Sequence, residues 1–140
     1  MSVIRLALNS DAPELEKLNG LFNGKNSNTL AAIRTSLETN AKEMVCVAVD
    51  GDRLAGFCCG QICMSMCYSA PYAEITDLFV LDTCRRQGIG RSLLKFMECE
   101  LAKLGVGHLH ILTYKDNNAA RSLYRSLGYA ETMEMLLDKN

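Results

Sequence analysis

No run of about 18 consecutive apolar residues occurs in this chain of 140 residues, so no segment is long enough to cross a bilayer as a helix. It opens without the basic-then-apolar stretch of a secretory leader. Both absences point to a cytoplasmic protein with no membrane partner. A basic excess is also missing. The formal net charge is −1, whereas nucleic-acid partners call for a basic face, so none is expected. There is no CxxC pair among the seven cysteines, and seven is an odd number. They sit mostly in apolar runs and read as small buried hydrophobes in a reducing compartment, not as a disulfide framework. Cys59, Cys63 and Cys67 are evenly spaced, but no histidine lies near them and the segment reads as a strand, so no metal site is expected. Repeats, low-complexity tracts and linkers are absent too, which leaves one domain over residues 1–140.

What is present is an ordinary globular balance, 49% hydrophobic and 22% charged, enough to bury a core. Val3 to Leu8 alternates as a strand. Ser10-Asp11-Ala12-Pro13-Glu14 is a helix start, with a capping residue, an early proline and then an acid. Leu15, Leu18, Leu21 and Phe22 give that helix an apolar stripe. Asn23 to Asn28 is a polar break, and Thr29 to Leu37 is a second helix. Met44 to Val49 and Arg53 to Tyr68 read as strands joined by the turn Asp50-Gly51-Asp52. A strand from Tyr72 to Leu81 follows. Arg91 to Leu104 is a helix with Leu93, Leu94, Met97, Leu101 and Leu104 at helical period. His108 to Thr113 is a strand, Asn117 to Leu127 a last helix, and Tyr129 to Leu137 reads as one or two closing strands. The order predicts a mixed α/β sheet with helices on its faces.

Between the Tyr72 strand and the Arg91 helix lies Arg85-Arg86-Gln87-Gly88-Ile89-Gly90-Arg91-Ser92. A glycine-rich turn that opens a helix suits phosphate. The first N–H groups of the helix are free, and its dipole adds about half a positive charge. The spacing is too short for a Walker loop, and Leu93 stands where a dinucleotide fingerprint needs a third small residue. Arg-x-x-Gly-x-Gly is the pattern that fits.

That stretch, with Leu93-Leu94 after it, resembles the acetyl-CoA-binding signature of the Gcn5-related N-acetyltransferases. Asn117-Asn118-Ala119-Ala120-Arg121-Ser122-Leu123-Tyr124, then Leu127-Gly128-Tyr129, is similar to the family's second signature. The resemblance covers nearly the whole chain. It implies the acyl-CoA N-acyltransferase fold: a mixed, mostly antiparallel sheet splayed at its middle strands and flanked by about four helices. Acetyl-CoA would be the co-substrate, with no metal. Backbone N–H groups of Gln87, Gly88, Ile89, Gly90, Arg91 and Ser92 would hold the pyrophosphate, with the charges of Arg85, Arg86 and Arg91 around it. Phe79 and Val80 would pair their backbone with the pantetheine arm, and Asn117 and Ala120 would lie along it. Tyr124 would stand near the sulfur and protonate the leaving thiolate.

The resemblance also implies a base at Glu74, a carboxylate in an otherwise mostly apolar strand, able to take the amine's proton directly or through water. Asp77 is a second candidate if a bulge turns it onto the face of Glu74. His108 and His110 share a strand face and read as packing or surface residues before catalytic ones; Cys84, just before the turn and near where the coenzyme would lie, reads as structural. Plainer readings stand beside the others: a helix cap for Asn117, a core tyrosine for Tyr124, a solvated charge for Arg85 or Arg86. The function implied is acetyl transfer to a primary amine by direct attack. The acceptor would be a small amine such as an aminoglycoside, polyamine or amino acid. The alternatives are a protein or peptide amine, or a coenzyme A-binding module without turnover. Many relatives dimerise, which leaves a homodimer open.

Overall fold

The computed structural model describes residues 2–140. Strand β1 (Val3–Leu6) is followed by helices α1 (Ala12–Asn23) and α2 (Leu30–Thr39). Strands β2 (Glu43–Asp50), β3 (Arg53–Cys63) and β4 (Tyr72–Val80) come next, then α3 (Ile89–Lys103), β5 (His108–Ile111) and α4 (Asn118–Ser126). The strands form one sheet in the order β1-β2-β3-β4-β5. The first three pairings are antiparallel and the last, β4 with β5, is parallel.

Each face of the sheet has its own cover. Leu15 and Leu18 of α1 pack with Val47, Leu54, Phe57 and Phe79 on one side. Ile89, Leu93, Leu94, Met97 and Leu101 of α3 pack with Cys46, Cys58, Ala73 and Ile75 on the other. The period of α3 is the reason it lies there. These five positions repeat at helical spacing and all are buried. Burying each such side chain contributes about 1.5–3 kcal/mol before entropy costs. Leu104 does not complete the stripe. The helix stops at Lys103 and Leu104 is exposed. Leu21 likewise faces solvent, while Phe22 keeps ring contacts with Phe57 and Phe79. An ion pair ties β1 to the start of α1: Arg5 donates to both oxygens of Asp11, and the Leu8 amide donates to one of them at 2.7 Å.

Two strands are shorter than their patterns suggest. β3 ends at Cys63, and Met64, Met66 and Tyr68 are exposed in the loop that follows. β5 ends at Ile111. The expected closing strands over Tyr129 to Leu137 do not form. A strand needs a ladder partner for its backbone groups, and β5 is only four residues long. Instead, Tyr129 donates to Glu98 of α3 at 2.6 Å, and Glu131 is drawn back onto α4 by Arg121. Met133, Met135, Leu136 and Leu137 are left exposed. The pairing of β4 with β5 stops at Ile75 and Ile111, while β4 runs on to Val80, so the sheet opens between these two strands.

Candidate active site

β4 and β5 pair from Tyr72 with His108 to Ile75 with Ile111, and there β5 ends. β4 runs on to Val80, so its side towards β5 is open beyond Ile75. A β-bulge falls at the same level. Gly60 of β3 pairs with Ile75, Cys59 pairs with Asp77, and Thr76 is the extra residue. The bulge resets the alternation of side chains. Ala73, Ile75, Leu78 and Val80 pack towards α3, so Glu74, Asp77 and Phe79 share the face towards α1 and α2. Asp77 thus joins the face of Glu74.

The same register decides which backbone groups face the fork. The Leu81 amide donates to Ala55 of β3 at 2.8 Å. The Phe79 carbonyl also faces β3, so close that a Cβ on Gly56 would lie 2.4 Å from it. By alternation, Leu78 and Val80 turn their N–H and C=O groups to the open side. Phe79 turns its peptide to β3 and packs in the cluster that holds Leu15 and Leu18 of α1.

The loop after β4 concentrates unusual backbone. Arg85 is extended, Arg86 has φ 65° and Gly88 has φ 76°. A left-handed arginine is strained, and such outliers gather at ligand sites. A path of mixed-handed residues is the kind of backbone that can turn successive amides towards an anion. α3 begins directly after Gly88, and the first amides of its N-terminus can do the same. A Cβ on Gly90 would meet Leu123 at 3.6 Å and Val80 at 3.8 Å, so α3, α4 and β4 converge here.

The side chains of the loop go elsewhere. Arg85 donates through Nε to the Val80 carbonyl at 3.1 Å and pairs with Asp82 at 2.9 Å. Arg86 is exposed. Arg91 reaches Ser126 of α4 at 2.8 Å, and Ile89 is core. Gln87, Ile89 and Ser92 line a cavity of about 230 Å³ with Ser2 and Ile4.

Asn117 is the cap of α4, its Oδ1 accepting from the Ala120 amide at 3.2 Å. That hydrogen bond occupies the Ala120 N–H. Tyr124, one helical turn on, is half-buried against the core and the Tyr129 ring. Burial, and then nearby Cys58, raise the Tyr124 pKa. The phenol therefore holds its proton at neutral pH. Tyr129 is pushed up further, by burial and by its hydrogen bond to Glu98.

In the paired part of the sheet before the fork, residues of four strands stand in one row: Glu43, Gln61, Glu74 and His110. Gln61 donates to Glu43 at 2.6 Å, and Glu43 also accepts from Ser36 of α2 at 3.2 Å. Glu74 lies 3.2 Å from His110 Nε2. The Cys59 thiol on this face is pushed well up by burial and by the carboxylates of Glu43 and Asp77. Leu78, His110, Glu43 and Gln61 carry no local motif; only the register of four strands assembles them. Among the described residues, no group of three or more His, Cys, Asp or Glu side chains is placed to hold a metal ion.

A forked α/β sheet whose free edge runs into an anion-binding loop and a helix N-terminus defines an acyl-coenzyme A transferase fold. The family model for the acetyltransferase (GNAT) family matches residues 13–129, and the chain belongs to that family. It is 41% identical over 59 residues to the ribosomal protein bS18-alanine N-acetyltransferase of Escherichia coli, a match covering 42% of this chain and 40% of that relative. The fold is shared with an aminoglycoside acetyltransferase from an uncultured soil metagenomic sample, solved with sisomicin. There the TM-score is 0.86 at 22% identity, over 99% of this chain and 95% of that one. It is shared too with a ribosomal-protein-alanine N-acetyltransferase from Brucella melitensis, at a TM-score of 0.82 and 15% identity over the whole of both chains.

Proposed function

We propose that this chain transfers the acetyl group of acetyl-CoA to a primary amine by direct attack, with a small amine as the preferred acceptor. The observation that carries the reading is the fork. The β4 edge at Leu78 and Val80 lies open where β5 stops, and it leads into the left-handed loop and the α3 N-terminus. An extended amide-bearing arm ending in a pyrophosphate fits such a groove by strand pairing at one end and anion binding at the other. Hydrogen bonds to a charged acceptor contribute roughly 1.5–3 kcal/mol each before binding costs.

On this reading the loop from Arg85 to Ser92 holds the pyrophosphate by its backbone, and Asn117 presents its free amide nitrogen to the pantetheine arm. Tyr124 protonates the thiolate. A general base centred on Glu74 takes the proton of the acceptor. Most of the acceleration comes from holding the amine against the thioester and from an N–H of the β4 edge at the developing oxyanion. One domain carries both substrates. The seven cysteines are all free, which fits a reducing cytoplasm.

The test is thiol release from acetyl-CoA with four acceptors: spermidine, sisomicin, glycine and a peptide with an N-terminal alanine. Release above the hydrolysis background with a small amine is the expected result. Release with the peptide alone moves the acceptor to protein N-termini. Coenzyme binding without release from any of the four refutes acetyl transfer to these amine classes and leaves a binding module. Propionyl and succinyl donors, compared in the same assay, define the acyl preference.

A further inference from the structure

Glu74 and His110 face each other across the parallel pairing of β4 with β5, one row before the last pair, Ile75 with Ile111. Nε2 of His110 lies 3.2 Å from Oε1 of Glu74. The neighbour of Glu74 on its other side, Gln61, is committed elsewhere: its amide nitrogen donates to Glu43 at 2.6 Å and reaches Thr76 at 3.5 Å. The imidazole is clasped by Tyr72, with ring centres 5.7 Å apart, and by His108 at 6.1 Å. Both members of the pair keep solvent access, with side chains 41% and 29% exposed. A carboxylate only accepts hydrogen bonds, so Nε2 carries the hydrogen and Nδ1 keeps its lone pair. Histidine is also the side chain whose ordinary range lies nearest neutrality.

We infer that Glu74 and His110 work as a carboxylate–imidazole dyad, in which Glu74 fixes the ring and His110 Nδ1 takes the proton of the acceptor amine, directly or through one water. The inference rests on the acetyl-transfer reading above and assigns the proton-accepting atom within it. Glu74 becomes the positioning residue and His110 the catalytic one. The alkylammonium gives one proton to Nδ1, and its nitrogen attacks the thioester carbonyl. The C–N bond forms and the C–S bond breaks. The thiolate takes the proton of Tyr124, which is replaced by the second proton of the nitrogen as the amide forms. The imidazolium, held beside the Glu74 carboxylate, returns its proton to solvent. Ammonium and thioester thus yield amide, thiol and one proton. The other titratable groups on this side are Glu43 of β2, Cys59 and Cys63 of β3, Tyr72 and Asp77 of β4 and His108 of β5.

The experiment measures steady-state rates of His110→Ala, His110→Gln, Glu74→Ala and Glu74→Gln with the same four acceptors, with coenzyme A affinity by calorimetry as the control for folding. His110→Ala and His110→Gln are expected to lose about 100-fold in kcat, the scale of a lost general base, with the KM for acetyl-CoA unchanged. Added imidazole should restore His110→Ala with saturation and leave Glu74→Ala unchanged, which no purely structural role of the ring explains. Glu74→Gln should fall by about tenfold and should not respond to formate. A His110→Ala rate within twofold of the native protein overturns the dyad. So does rescue of Glu74→Ala by formate, which makes Glu74 itself the base. If neither position affects the rate, the base centre is misplaced altogether. Absence of thiol release by the native protein is a separate result, one that removes acetyl transfer itself.

Discussion

The two sides of the fork are built from different materials. The side proposed for the donor is mostly backbone: the β4 edge at Leu78 and Val80, the left-handed Arg86 and Gly88, and the first amides of α3. The side proposed for the acceptor is mostly side chain, with Glu43, Gln61, Glu74 and His110 contributed by four strands and Ser36 by α2. Backbone recognition suits a ligand that never changes, because it needs only a conformation and a few glycines to keep it clear. Side-chain recognition suits a ligand that differs between relatives, because each strand can be altered without disturbing the turn. On the proposed reading, such a division lets the donor site stay fixed while the acceptor site changes.

The contrast can be broken or sharpened by four substitutions. The largest effect belongs to Gly90→Phe. A methyl group fits between Leu123 and Val80, but a ring does not. Donor affinity measured by calorimetry should fall by 100-fold or more, about 2.7 kcal/mol, and Gly90→Ala should lose far less. Retained affinity in a folded Gly90→Phe protein removes the loop from the pyrophosphate site. Next is Tyr124→Phe, for which kcat should drop about 100-fold while donor affinity holds; a native rate removes Tyr124 as the acid.

Third is Asp11→Asn, which tests the frame rather than the site. Arg5 lowers the Asp11 pKa, helped by the Leu8 amide and opposed by burial. The ion pair therefore contributes stability above the ordinary aspartate value of 3.8 and loses it as the pH falls through the lower folded value. Denaturant unfolding at pH 7 should show the variant about 1–2 kcal/mol less stable, and the gap should close in strong acid. A gap that persists at pH 2 contradicts the ion-pair account. The smallest effect is that of Arg85→Ala, which frees the Val80 carbonyl. Donor affinity should change by only a few-fold, because Arg85 both shields the edge and adds charge to the loop. A loss beyond about tenfold would show the guanidinium to be a main phosphate contact.

The loop proposed for the donor was visible in the sequence, since a glycine-rich turn between a strand and a helix is a local pattern. What surrounds it was not. The register against Ala55 and Gly56 sets which β4 amides face out. Ile89 is core and Arg91 turns to Ser126, contacts made by distant segments. The acceptor side was barely legible. The bulge at Thr76 that brings Asp77 round to Glu74 has no signature in the chain, and the Glu74–His110 pair exists only because two distant strands align in parallel. The tail misled for a similar reason: Met133, Met135 and Leu137 alternate like a strand, but β5 gives them no ladder.

The parallel pairing of β4 with β5 has a further consequence, visible in hydrogen exchange. β3 is hydrogen-bonded along both edges, by β2 from Glu43 to Asp50 and by β4 from Tyr72 to Val80. β5 is held along one edge only, over Tyr72 to Ile75. Amides of β3 should therefore open only with the whole domain, while those of Leu109 to Ile111 exchange through a smaller, local event. The most fully paired strand of the sheet is then one removed from the fork, and one of its two four-residue edge strands carries His110.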